Sequence, residues 1–228
     1  SIFTHGPHRV TEKCVFLNCG KWEKRKGHDV LLEMFKSAFP DEKDVELHMM
    51  PSNPFLHEKV RNEWERYYRN DPRVKIFDHV ATHEEVARIM SIANCGIFPS
   101  RAEGWNLEIL EMMSMGKNII TTNYSAHTQF CTEVNSSLIN IKNLETAKDD
   151  LFFDGSLGQW ASLDGEPFEQ GVEYLKGFYK RWQVDNQIIN EEGIKTAKYL
   201  TWTNTANQLG EICYGNKSTK TKQVLQTA

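Results

Sequence analysis

Six short runs rich in β-branched and apolar residues recur along the chain, each set off from the next by a stretch with room for a helix. That alternation limits the possible folds more than any other feature of the sequence. The runs are Val15–Asn18, Val45–Met49, Val74–Phe77, Gly96–Phe98, Asn118–Thr121 and Leu138–Ile141. After the first run, Leu31, Met34, Phe35, Ala38 and Phe39 fill an i, i+3, i+4, i+7, i+8 stripe. After the third, Val86, Ile89, Met90 and Ala93 repeat the pattern, and Thr82 with Glu85 spells a capping box at the helix start. Strands that alternate with helices of this length are joined by right-handed crossovers, which lay the strands parallel and cover both faces with helices. The expected fold is a doubly wound, Rossmann-like α/β domain with a parallel sheet of about six strands, from about residue 12 to about 145.

The pattern breaks at Asp149–Glu166, which reads as a loop containing Gly, Asp and Ser. From Pro167 to Tyr214 two or three helices are expected, the last carrying Trp202, Ala206, Leu209 and Cys213 on one stripe. Residues 12–214 then form one unit, with 149–214 as its C-terminal loop and helices. Residues 215–228 hold three lysines and no acid, and read as a polar, frayed tail. A net charge of −4 argues against a broad nucleic-acid face. No apolar run approaches the ~20 residues of a membrane span, so no integral membrane segment is expected. Five scattered cysteines without a CxxC pair, and no basic-then-apolar leader, favour free thiols in a reducing cytoplasm.

In an open parallel sheet ligands bind beyond the carboxyl ends of the strands, and three segments stand out there. The first is the turn from Asn18 to Gly27, where Gly20 permits a sharp bend and Lys21, Lys24, Arg25 and Lys26 follow within six residues. At a helix N-terminus such cations suit a diphosphate, although a solvated basic turn accounts for them equally well. Neither a Walker loop nor a GxGxxG turn is present. The second is the segment from Phe98 to Gly116. Leu107, Ile109, Leu110, Met112, Met113 and Met115 make its helix apolar nearly all round, and therefore buried. Glu111 in its middle must find donors: either the vicinal hydroxyls of a ribose or an internal Lys or Arg. Glu103 precedes the helix where a carboxylate can meet sugar hydroxyls, Gly104 would allow close approach of a ligand, and Trp105 suggests a pocket wall; the other five tryptophans read mainly as core. The third, Thr121–Phe130, either lines a pocket or is an ordinary loop. The histidine pairs His5/His8 and His79/His83 lack the company a metal site needs, so no metal is expected.

Glu103 and Glu111 with seven residues between them, inside FPSRAEGWNLEILEMMSMG, resemble the E-x7-E signature of retaining glycosyltransferases of the family 4 type. That family's run is F-P-S-x-x-E-G-F-G-L-P-x-L-E-A-M-A-x-G. The turn GKWEKRKG is similar to its G-R-x-x-x-x-K-G, with Lys21 in the Arg place and Lys26 in the Lys place. The likeness extends over about residues 12–214, the C-terminal, nucleotide-sugar-binding half of a GT-B enzyme, and leaves residues 1–11 as the remnant of an interdomain linker. It implies that Gly20, Lys21 and Lys26 hold the diphosphate together with backbone N–H groups around Gly104, Trp105, Asn106 and Leu107. It further implies that Glu111 binds the ribose, Glu103 the donor sugar, and Asp78, His79 and Val80 the edge of the base.

A family with these residues moves a hexosyl group from a nucleotide-diphosphate sugar with retention, and requires no cofactor because lysines and helix dipoles stabilise the departing diphosphate. Glu103, Lys21 and Lys26 would be the catalytic group. Asn106 stands for the family's second Gly, Glu108 for its Pro, Asp78 for a Gly, and Thr128-Gln129 for Pro-Glu. The implied partner is an N-terminal acceptor-binding domain, in cis or in trans, without which the chain is expected to be inactive. Two other readings fit the same architecture: a non-catalytic sugar-nucleotide-binding or interaction module, and an epimerase or phosphorylase.

Overall fold

The computed structural model describes residues 2–6, 11–149 and 151–215. Six parallel strands form the central sheet: β1 (Cys14–Gly20), β2 (Val45–Pro51), β3 (Val74–Ile76), β4 (Cys95–Phe98), β5 (Asn118–Thr122) and β6 (Ser137–Ile139). Between them run α1 (His28–Ala38), α2 (Glu58–Tyr68), α3 (His83–Ile92) and α4 (Leu107–Ser114). The strand order is β3-β2-β1-β4-β5-β6. The direction of winding therefore reverses between β1 and β4, and a crevice opens beyond their carboxyl ends. All six expected strands are present within a few residues of their anticipated limits, and the capping box forms as written: Thr82 Oγ1 accepts from Glu85 N–H and Glu85 reaches back to Thr82 N–H.

The side-chain period of two explains how one strand builds two cores. Cys14 and Phe16 of β1 point to the layer containing Leu31, Leu32 and Phe35 of α1, while Val15, Leu17 and Cys19 point to the layer containing Met90, Met112 and Met113. Every one of these residues is buried, so a strand such as β1 reads as a continuous apolar run rather than an alternating one. The first layer is closed by α5 (Glu166–Val184), whose Leu175, Phe178 and Trp182 pack on the sheet; α6 (Glu191–Tyr199) packs beside α4.

Two expectations need correction. The segment after Asp149 is not a loop throughout: β7 (Leu144–Lys148) and β8 (Asp154–Ala161) pair as an antiparallel hairpin. Most of β8 faces water and only its last two residues are buried, so no apolar alternation marks it as a strand. Its turn is set by Asp149, whose Oδ1 accepts from the N–H groups of Leu151, Phe152 and Phe153 at 2.8–3.0 Å. The last helix, α7 (Trp202–Tyr214), exists but buries none of its residues. Trp202 is thus 83% exposed rather than part of the core; a stripe shows that a helix has an apolar face, not what covers it. The tail expected at 215–228 lies outside the described residues beyond Gly215.

Candidate donor cleft

A cleft of about 600 Å³ opens at the carboxyl ends of β1, β2, β3 and β4, at the switch of strand order. One wall is the basic turn after β1. Gly20 holds φ 137°, and a Cβ there would press on Lys26 Cε at 3.1 Å. Its missing side chain is the space through which Lys26 reaches the cleft. The turn closes at Gly27, φ 76°, where a Cβ would fall on the Pro99 carbonyl. Lys24–Lys26 form a single 3-10 turn before α1.

The opposite wall is α4 and the loop before it. Asn106 caps this helix with φ 66° and ψ 67°, the left-handed region that Gly and Asn tolerate best. That backbone requirement explains why Asn can stand where the resembling sequences carry a second Gly. Contrary to expectation, α4 is not buried all round. Met112 and Met113 face the core, but Leu107 is 52% exposed and Glu111 is half-buried on the cleft.

The two glutamates of the signature have opposite environments. Glu103 has a side chain only 5% exposed, with both oxygens engaged. Lys26 Nζ lies 2.8 Å from Oε1 and Arg25 Nη1 3.0 Å from Oε2, while Ser100 Oγ donates at 2.7 Å. Burial works to raise its pKa, yet the charges of Lys26 and Arg25 and the hydrogen bonds from Lys26 and Ser100 hold it below the ordinary carboxylate value. From behind, Ser125 Oγ accepts from Glu103 N–H at 2.8 Å and donates to Glu103 C=O at 2.7 Å. Ser125 adopts φ 74° to do so, and the third segment is therefore a support for Glu103 rather than a wall of the cleft. Glu111 has no ion pair or hydrogen bond to its carboxylate among the described residues. Burial and the neighbouring charge of Glu108 push its pKa up to about 7.

Of the anticipated residues, Gly20, Lys21, Lys26, Asp78, His79, Val80, Glu103, Trp105, Asn106, Leu107 and Glu111 all line this one cleft. Gly104 does not: it is exposed, and a Cβ on it would meet nothing within 4 Å. Lys21 is exposed, with its ammonium 5.1 Å from the Phe55 ring centre. At the far end, Ser52 Oγ and His79 Nδ1 lie 2.8 Å apart beside Val80, Val86 and Met90. Two lining residues with permanent charge, Arg25 and Glu108, were not anticipated as binding groups. Arg25 was only one cation in a basic turn. Glu108 sits three residues before Glu111, a spacing that puts both on one helix face. Among the described residues, no group of three or more His, Cys, Asp or Glu is placed to hold a metal ion.

Beneath the basic turn, Arg101 ties the cleft to the hairpin. Its guanidinium pairs with both oxygens of Asp29 at 2.6 and 3.0 Å, with Glu145 Oε1 at 2.8 Å, and with the Lys24 carbonyl at 2.7 Å. Trp160 Nε1 donates to the same Glu145 oxygen at 2.8 Å.

A parallel sheet in this order with a cleft at the switch point has the architecture of the C-terminal half of a GT-B glycosyltransferase, and the comparisons agree. Residues 13–150, more than half of the chain, match the model of the family described as Glycosyl transferases group 1, and the chain belongs to that family. No curated protein sequence matches it. The C-terminal domain of LpcC from Francisella tularensis, a glycosyl transferase group 1 family protein, superposes with a TM-score of 0.61 at 14% identity, covering 87% of this chain and 95% of that one. Anabaena Alr3699/HepE in complex with UDP and glucose superposes at 0.66 with 15% identity, over 94% of this chain and 54% of that one. A Rickettsia africae glycosyltransferase gives 0.66 at 15% identity, over 89% and 47%. The chain spans about half the length of the latter two. At these identities the likeness is one of fold. Among the described residues no helix is long and apolar enough to cross a membrane.

Proposed function

We propose that this chain is the donor-binding domain of a retaining glycosyltransferase, which transfers a hexosyl group from a nucleotide-diphosphate sugar to an acceptor held by an N-terminal domain in cis or in trans. The observation that carries this reading is Glu111. A carboxylate without a protein partner among the described residues, raised toward neutrality by burial and by Glu108, stands on the same cleft as the basic turn. Two adjacent ribose hydroxyls would donate to it together and return it to the charged form.

The other roles follow from position. Lys21, Lys26 and the free N–H groups at the start of α4, from Trp105 to Leu107, would hold the diphosphate and stabilise the charge left on it when the glycosidic bond breaks. Asp78, His79 and Val80 would edge the base. Lys26 is paired with Glu103; a phosphate that takes the ammonium would leave a Glu103 oxygen free for a sugar hydroxyl. The positive charge needed by the leaving group comes from side chains and backbone, so this reading requires no cofactor. Four free cysteines are buried and one is exposed, in keeping with a reducing cytoplasm.

Calorimetric titration of UDP, GDP and ADP tests the proposal. One of them is expected to bind with a micromolar to sub-millimolar constant, on the order of −5 to −8 kcal/mol. Glu111→Ala should lose roughly 1.5–3 kcal/mol of that, the worth of hydrogen bonds to a charged group. No heat with any nucleotide, or an unchanged constant in the variant, would refute it. The chain by itself should not transfer sugar, since transfer needs acceptor and donor brought together; sustained turnover by these 228 residues alone would contradict the need for a second domain.

A further inference from the structure

A carboxylate stands where a phosphate site has most use for positive charge. Glu108 lies in the first turn of α4, the end of a helix whose unpaired N–H groups favour an anion. Its Oε1 is 3.8 Å from Lys26 Nζ, and its side chain, 29% exposed, borders the cleft. Lys26 is therefore flanked by two carboxylates, with Glu103 at 2.8 Å on the other side. Arg25 is divided in the same way between Glu103 and Glu23. Of the three cations that line the cleft, Lys21 alone has no carboxylate within ion-pair distance among the described residues. Asp78, Glu103, Glu108 and Glu111 line the same cleft, so its acidic groups outnumber its basic ones.

Glu103 belongs to the signature and is buried; Glu108 is neither. The sequences this chain resembles place an uncharged Pro at that position. Resting on the donor-site reading above, the geometry points to Glu108 as a specificity-determining residue: its carboxylate competes with a ligand's phosphates for Lys26 and so compresses the cleft's preference for the more highly charged nucleotide. At a pH well above 7, where Glu111 is ionised with or without Glu108, a nucleoside has nothing to gain or lose from it. A monophosphate carries about two negative charges there and a diphosphate about three, so the diphosphate meets the stronger repulsion. With Glu111 ionised throughout, the base and ribose contacts are left untouched, and the share of binding supplied by phosphate falls. The consequence is a cleft that lets go of a spent nucleoside diphosphate more readily than the same cleft without Glu108.

The test uses the full chain and two variants, Glu108→Gln and Glu108→Ala, which remove the charge with and without an amide in its place. Uridine, UMP and UDP are titrated into each by calorimetry at low salt and pH 8.5, where Glu111 is ionised in every variant, with the guanosine and adenosine series beside them to find the base. For the base that binds, the diphosphate should bind about five- to tenfold more tightly to both variants, the monophosphate by a smaller factor, and the nucleoside within about twofold of wild type. The gain should shrink at high ionic strength, as expected of a charge effect. Equal or weaker diphosphate binding in both variants, while wild type still binds, would overturn the role of Glu108 and leave the donor site standing. A gain of the same size for the nucleoside would overturn it too, since phosphate would not be what Glu108 resists. Wild type that binds no nucleotide of any base would end both readings together.

Discussion

Replacing Glu111 by Gln should make the protein more stable and a poorer binder at once. Burial and Glu108 raise the folded-state pKa of Glu111 from 4.5 to about 7. A raised pKa means the fold favours the protonated form. The stability that form provides is complete below 4.5 and is lost as pH rises through about 7. The full shift corresponds to at most about 3 kcal/mol. Because the carboxylate borders an open cleft, solvent screening reduces the expected cost of ionisation to about 1–2 kcal/mol. Gln has nearly the same shape and cannot ionise, so at pH 8 the variant should exceed wild type by that amount, a rise in melting temperature of roughly 2–8 °C for a chain of this length. Paired melts of wild type and Glu111→Gln from pH 8 down to 4.5 measure it. The gap should close to a few tenths of a kcal/mol near 4.5, where the unfolded carboxylate also takes its proton. A gap that does not change with pH, or a variant less stable than wild type at pH 8, would show that Glu111 is satisfied within the protein and is not held ready for a ligand.

Other consequences of the structure are open to the same kind of measurement. Arg101→Met, which strands Asp29 and Glu145, should cost about 3 kcal/mol in denaturant unfolding, and it should expose the hairpin to early proteolysis; a loss below about 1 kcal/mol would show that the buried guanidinium is dispensable. Gly27→Ala combines a left-handed backbone with a clash against the Pro99 carbonyl and should lose about 2 kcal/mol or more, whereas Gly104→Ala, with nothing near its Cβ, should stay within about 0.5 kcal/mol. His28 is driven down from 6.5 to about 3 by its burial and by the charges of Lys26 and Arg25. Since the unfolded chain then binds the proton first, stability should fall as pH drops from about 6.5 toward 3, and Glu46, held at about 2 against its burial by hydrogen bonds from Lys13, Lys75 and His48, should add to the loss only below about 4.5, where the unfolded carboxylate begins to take its proton. A His28→Gln variant with an unchanged acid slope would assign that loss elsewhere.

The local periods of this sequence determined its layers. Val15–Asn18 and its five counterparts were visible as strands because strands buried on both faces are short apolar runs bounded by polar turns, and the stripe from Leu31 to Phe39 was visible as a helix because 3.6 residues complete a turn. Alternation then implied parallel pairing through the rule for crossover handedness, and the ends of those strands pointed to Gly20, Lys26, Glu103 and Glu111. What they could not determine was set by contacts between residues far apart in the chain. Arg25 and Glu103 meet across 78 positions, and no period in the sequence announces that the first signature glutamate is saturated by cations while the second is left without one. The β7–β8 hairpin escaped for a related reason. Its register depends on cross-strand bonds and on Trp160 reaching Glu145, not on an apolar alternation along β8. The apolar stripe of α7 showed a helix but not its environment, because periodicity records which side chains share a face and only packing decides what lies against it.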